Sequence, residues 1–161
     1  MTRIIIYLFG TMFFSGRSPV ASGTAGSFVA ILLYMAGVYF LPSQIFPIIQ
    51  VVVIVVFIIA GIPAATYIAN SEGKEDPGCI VVDEAIGQWI TMLFMPPALI
   101  MAHISIPIAG FLLFRLFDIV KVFPANRAEK LPGGLGIVLD DVIAGLYACL
   151  VLNLIVKLVI L

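Results

Sequence analysis

The run from Ile45 to Ala69 carries no charged side chain and is the longest of several apolar stretches in the chain. In lipid a stretch of this kind has one workable conformation, a helix that satisfies its own backbone, and about 20 residues are enough to cross the hydrocarbon. Shorter runs at 28–41, 83–101, 107–121 and 137–160, together with 45–69, predict about five membrane helices. Residues 4–14 are apolar over only about half a span and predict a short interfacial or re-entrant helix. No small-x-small cleavage site follows directly, so the N-terminus reads as retained rather than as a signal peptide. With 63% hydrophobic and 11% charged residues, the 161-residue chain reads as an all-α, polytopic membrane bundle forming a single domain over residues 1–161. A net charge of -1 gives no nucleic-acid signature, and two cysteines make no disulfide framework.

The interruptions place the loops. SGRSPVASGTAGS (15–27) is small, polar and glycine-rich and reads as a loop, with Ser27 as a plausible N-cap for the helix after it. Leu41-Pro42-Ser43 ends the next helix, and Pro63 predicts a kink in 45–69. NSEGKEDPG (70–78) is a second polar loop closed by a Pro-Gly turn. A helix is expected from Ile80 to about Phe94, before Met95-Pro96-Pro97, and Pro107 opens another. Arg17, Lys74 and the pair Arg127 and Lys130 fall in three loops separated by even numbers of crossings, so the positive-inside rule places all three on the cytoplasmic side. The uncharged connections around Pro42 and His103 then face the other side.

The charges that remain are concentrated. Arg115, Asp118 and Lys121 follow at i, i+3 and i+6 and share one helix face. Asp83 and Glu84 open one apolar helix, and Asp140-Asp141 lie a short way into the last. Ionisable groups beside long apolar helices are costly and mark function by default. Carboxylates without His or Cys partners suit a hard cation, Mg2+ or Mn2+. Gly87 follows Asp83 by four residues and Gly145 follows Asp141 by four, so small residues beneath the acids let their helices approach closely. Lys74, Arg115 and Lys121 add phosphate-binding cations, completing the composition of a phosphate-ester site. The competing explanation is that the acids only pair with Arg115 and Lys121. Arg127 and Lys130 fit simple attraction to anionic headgroups. Gly23-Thr24-Ala25-Gly26-Ser27 could cradle phosphate with backbone N–H groups, a weak signal alone.

Other chemistries lack their parts. His103 is the only histidine and falls on the opposite side, so a phosphohistidine route has no nucleophile. Cys79 has Ala85, not Arg, six residues on, and no GxxxxGK[ST] motif is present.

Four blocks, GTAGS (23–27), KEDPGCIVVDEAIGQWI (74–90), FRLFDIVKVFP (114–124) and PGGLGIVLDDVIAG (132–145), closely resemble the motif blocks of the phosphatidylglycerophosphatase A family, in the family order. The resemblance implies a Mg2+-dependent phosphoric monoester hydrolase of the bacterial inner membrane, multi-pass, with its active site at the cytoplasmic face. Its implied reaction converts phosphatidylglycerophosphate to phosphatidylglycerol and phosphate. It points to Lys74, Asp76, Asp83, Glu84, Arg115, Asp118, Lys121, Asp140 and Asp141, with Thr24 nearby. On that basis Asp83, Asp118, Asp140 and Asp141 are the expected Mg2+ ligands. Lys74, Arg115 and Lys121, with Thr24 and Asp76, are expected at the substrate, and Glu84 is the expected general base. Asp83, Asp118 and Asp141 are expected to take part in catalysis alongside it; attack by water and an aspartyl-phosphate intermediate both remain open. A cation transporter is the rival reading, but it predicts acids spread across the membrane depth, whereas these crowd towards one side.

Overall fold

A computed structural model describes residues 2–160. Its helices are α1 (Thr2–Gly10), α2 (Ser22–Phe40), α3 (Phe46–Glu72), α4 (Val82–Thr91), α5 (Pro97–Ala102), α6 (Ser105–Val120), α7 (Ala125–Ala128) and α8 (Gly134–Val159), with a 3-10 turn at Ser15–Arg17. No strand occurs among the described residues. The expected all-helical bundle is what forms. Three helices, α2, α3 and α8, are long and apolar enough to cross a membrane. The stretches expected as the other two crossings are shorter helices, α4 followed by α5, and α6.

The axis of the bundle is α4 against α8, with α2, α3 and α6 packed around them. Every residue of α4 except Glu84 is buried. The outer helices turn large apolar side chains outward: Val51, Val55 and Ile59 on α3, Leu112 and Leu116 on α6, Leu146, Leu150 and Leu154 on α8. Exposed apolar surface on this scale suits acyl chains rather than water. Trp89 pins the ring to the axis. Its Nε1 donates to Ala30 O at 2.9 Å, its own carbonyl accepts from Gln50 Nε2 at 2.9 Å, and Phe57 meets its ring edge-on. In lipid, where no water competes, such bonds tie α2 and α3 to α4.

Several boundaries differ from the sequence reading. GTAGS is not a loop: α2 begins at Ser22, so these residues form its first turns. Ser27 is not an N-cap either; its Oγ donates to Gly23 O one turn back, at 2.8 Å. The helix expected over 80–94 is confined to Val82–Thr91. At its start Val81 N donates to Gly10 O at the end of α1, which holds Val81 outside the helix. At its other end Phe94 takes a positive φ of 68° before Pro96. Helix α8 begins three residues earlier than expected, because Gly134 N finds an acceptor in Thr66 Oγ1 at 2.8 Å. Pro63 lies inside α3 without ending it. The short α1 packs on α3, with the Phe9 and Phe57 rings 4.9 Å apart.

Candidate metal and phosphate site

The site grows from the contact between α4 and α8. A Cβ on Gly145 would lie 2.5 Å from Gly87 O, and one on Gly87 would lie 2.7 Å from Asp141 O. Only glycine lets the two backbones touch here. Asp83 precedes Gly87 by one turn and Asp141 precedes Gly145 by one turn, so the same contact brings the two acids together. Glu84, half-buried, joins them from the first turn of α4. Carboxylate oxygens of Asp83, Glu84 and Asp141 all lie within 4.8 Å of one another. Acids also suit this first turn of α4, where the helix dipole is positive.

The surroundings leave this trio short of partners. Asp83 Oδ1 and Glu84 Oε2 are buried and accept no hydrogen bond. Among the described residues no Lys or Arg nitrogen forms an ion pair with any of the three. Three neighbouring carboxylates in an apolar bundle repel one another and are poorly solvated, so the arrangement requires positive charge or protons. An all-carboxylate donor set with unsatisfied oxygens fits a hard divalent cation. The trio can hold a metal ion.

The other two acids are already paired. Asp118 accepts from Arg115 Nη1 at 2.6 Å, along the helix face that their spacing predicts. Asp140 accepts from Lys121 Nζ at 2.6 Å, and its Oδ1 also accepts from Asp141 N at 3.0 Å. Lys121 makes a second ion pair, 2.7 Å to Glu129. The group that shares reach therefore contains Glu84, which the sequence reading cast as base, while Asp118 and Asp140, expected there as ligands, hold cations beside it. Gly23, in the first turn of α2, explains why glycine is needed there. A Cβ would collide with Glu84 Oε1 and lie 3.0 Å from Arg115 Nη1, so both side chains cross directly over the α2 backbone.

A cavity of about 840 Å³ opens beside Asp140, and Lys74, Asp76, Lys121 and Lys130 help to line it. Desolvation at the wall pushes the Asp76 carboxyl above its usual range; Asp118 and Glu129 add to this and Lys121 opposes it. Asp83, Glu84 and Asp141 do not line this cavity; Asp140, adjacent in sequence to Asp141, is the link between them. Thr24 is exposed on α2, one residue past Gly23. Sequence reasoning missed Glu129, whose contact with Lys121 spans a loop and leaves no helical spacing to read. It also treated Lys130 as a headgroup-attracting charge rather than as cavity wall.

Comparison with known proteins bears directly on this arrangement. The family model for phosphatidylglycerophosphatase A matches residues 8–156. The chain belongs to the phosphatidylglycerophosphatase A family. Members named phosphatidylglycerophosphatase A from Escherichia coli (strain K12) and Haemophilus influenzae are each 35% identical to it. The first match covers 86% of this chain and 76% of the relative, the second 91% and 85%. A Bacteroides thetaiotaomicron protein named "Putative phosphatidylinositol-3-phosphatase" is 41% identical over 88% of this chain and 87% of its own length. No solved structure matches the fold. All four resembling blocks fall inside the family match, and each contributes to the site: Gly23 from the first, Asp83 and Glu84 from the second, Arg115 and Asp118 from the third, Asp140 and Asp141 from the fourth.

Proposed function

We propose that this chain is a Mg2+-dependent lipid phosphatase that hydrolyses phosphatidylglycerophosphate to phosphatidylglycerol and phosphate. The observation that carries the reading is the unpaired trio Asp83, Glu84 and Asp141 lying beside two cations already oriented by carboxylates. Membership of the phosphatidylglycerophosphatase A family supports the substrate. In this reading the protein crosses the bacterial inner membrane five times, through α2, α3, α4 with α5, α6 and α8. The site then lies at the cytoplasmic face, on the side of Arg17, Lys74, Arg127 and Lys130.

Asp83, Glu84 and Asp141 would hold the ion. When bound, Mg2+ supplies positive charge to phosphoryl oxygens and to the attacking water. Asp118 and Asp140 orient Arg115 and Lys121, which with Lys74 grip the phosphate oxygens and offset charge that builds on them. Asp76 and Thr24 flank the headgroup. The water oxygen bonds to phosphorus as the bond from phosphorus to the glycerol oxygen breaks. Glu84, whose Oε1 lies over Gly23 near Arg115, takes the water's proton and returns one to the leaving oxygen.

The test is phosphate release by the purified protein in detergent micelles. Phosphatidylglycerophosphate and phosphatidylinositol 3-phosphate are supplied separately, each with Mg2+ and with EDTA. The second lipid enters because of the Bacteroides relative's name, and because the cavity of about 840 Å³ is roomy for a glycerol phosphate. The expected result is EDTA-sensitive release, faster from phosphatidylglycerophosphate. Preference for the inositol lipid would reassign the substrate, and release that EDTA leaves untouched would remove the metal. Cation flux into vesicles without hydrolysis would establish the transport reading instead.

A further inference from the structure

A second cluster of charge lies outside the catalytic region, where α1 and the 3-10 turn meet the end of α3. Tyr7 is its centre. The ring is buried, and its hydroxyl donates to Glu72 Oε1 at 2.8 Å. The Arg3 guanidinium lies 5.5 Å from the ring centroid and that of Arg17 5.8 Å. Arg17 also lies 5.4 Å from the Phe14 ring. These three residues with Ile4, Phe14 and Glu72 line a hollow of about 200 Å³. Neither arginine forms an ion pair among the described residues, although Glu72 is close by. Both guanidiniums therefore sit over the Tyr7 ring, and among the described residues neither has a carboxylate partner.

The apolar rim of the hollow selects the ligand. Of its lining residues Ile4 is 66% exposed and Phe14 44%, and Phe13, next to Phe14 in the chain, is exposed too. A free anion has no use for these side chains, whereas a lipid whose headgroup meets the arginines lays its acyl chains along them. We propose that Arg3 and Arg17 form a binding site for the phosphodiester headgroup of an anionic phospholipid, separate from the catalytic centre, which anchors α1 against α3. Glu72 stands beside the same hollow and opposes an anion there, so it sets an upper limit on affinity.

The test uses phosphatidylserine, an anionic phosphodiester lipid that takes no part in the proposed reaction. Native mass spectrometry of the whole protein in neutral detergent counts the lipids retained. The unmodified protein should retain phosphatidylserine in preference to phosphatidylcholine. Retention should weaken by about fivefold for each arginine replaced, in R3Q and in R3Q/R17Q. R3K/R17K, which keeps the charge, should retain most of it, and E72Q should bind more tightly than the parent. Inorganic phosphate at millimolar concentration should not displace the lipid. Equal retention by the parent and R3Q/R17Q would overturn the proposal, as would equal retention of phosphatidylcholine. Loss of retention in the lysine variant would assign the effect to local structure, and displacement by phosphate would make this a free-anion site; either result also overturns it.

Discussion

Replacing Gly145 by Ala tests whether contact between α4 and α8 makes the acid cluster. The new Cβ would meet Gly87 O at 2.5 Å, Gly87 Cα at 2.9 Å and Gly87 C at 3.1 Å. All three are backbone atoms of a buried helix, so no side chain can swing aside. Restoring ordinary contact at 3.4 Å or more parts the helices by close to 1 Å. Overpacking of this kind costs about 1–3 kcal/mol, and the helix preference of Ala over Gly offsets up to about 1 kcal/mol of it. The fold should therefore survive with a lowered melting temperature. The site should suffer more, since Asp141 and Asp83 sit one turn away on the separating helices and metal distances tolerate only about 0.2 Å. A displacement near 1 Å is expected to reduce kcat/KM by about a hundredfold and to raise the Mg2+ concentration needed for half-maximal rate. The control is G61A in α3, where the nearest atom to the new Cβ is the mobile end of Ile86, at 3.4 Å. That variant should melt no lower than the parent and keep its activity. Phosphate release across a Mg2+ titration, with thermal unfolding in the same detergent, reads both effects. A folded G145A protein with parental turnover and Mg2+ dependence would refute the reasoning.

The acid set should divide by role. D83N and D141N each remove a carboxylate from the unpaired trio and should lower kcat/KM by at least about a hundredfold with a raised Mg2+ requirement, read from the same titration. D118N and D140N remove the partners of Arg115 and Lys121, so they should chiefly raise KM for the lipid while leaving the Mg2+ dependence near normal. EDTA should abolish turnover, and added Mg2+ should restore it. T66V removes the hydroxyl that accepts from Gly134 N at 2.8 Å; it should cost about 0.5–1.5 kcal/mol of stability, measured by thermal unfolding, with little change in kcat.

What could be read from the residues was whatever a helix repeats. The spacing of Arg115, Asp118 and Lys121 places them on one face, and Arg115 pairs with Asp118 on it. The offset of four that links Asp83 to Gly87 and Asp141 to Gly145 turns a requirement for close packing into a meeting of two acids, and that meeting is present. Contacts made across loops have no such period. Glu129 reaches Lys121 after a turn, and Gly23 meets Glu84 and Arg115 from a helix whose start was misplaced, because a run of small residues reads as loop when no packing partner is known. Membership of the acid trio was hidden for the same reason. Distance along the chain says which acids can face inward, but the competition for Arg115 and Lys121 decides which stay unpaired. Asp118 and Asp140 take those cations, and the three acids left without one define where a divalent ion has most to offer.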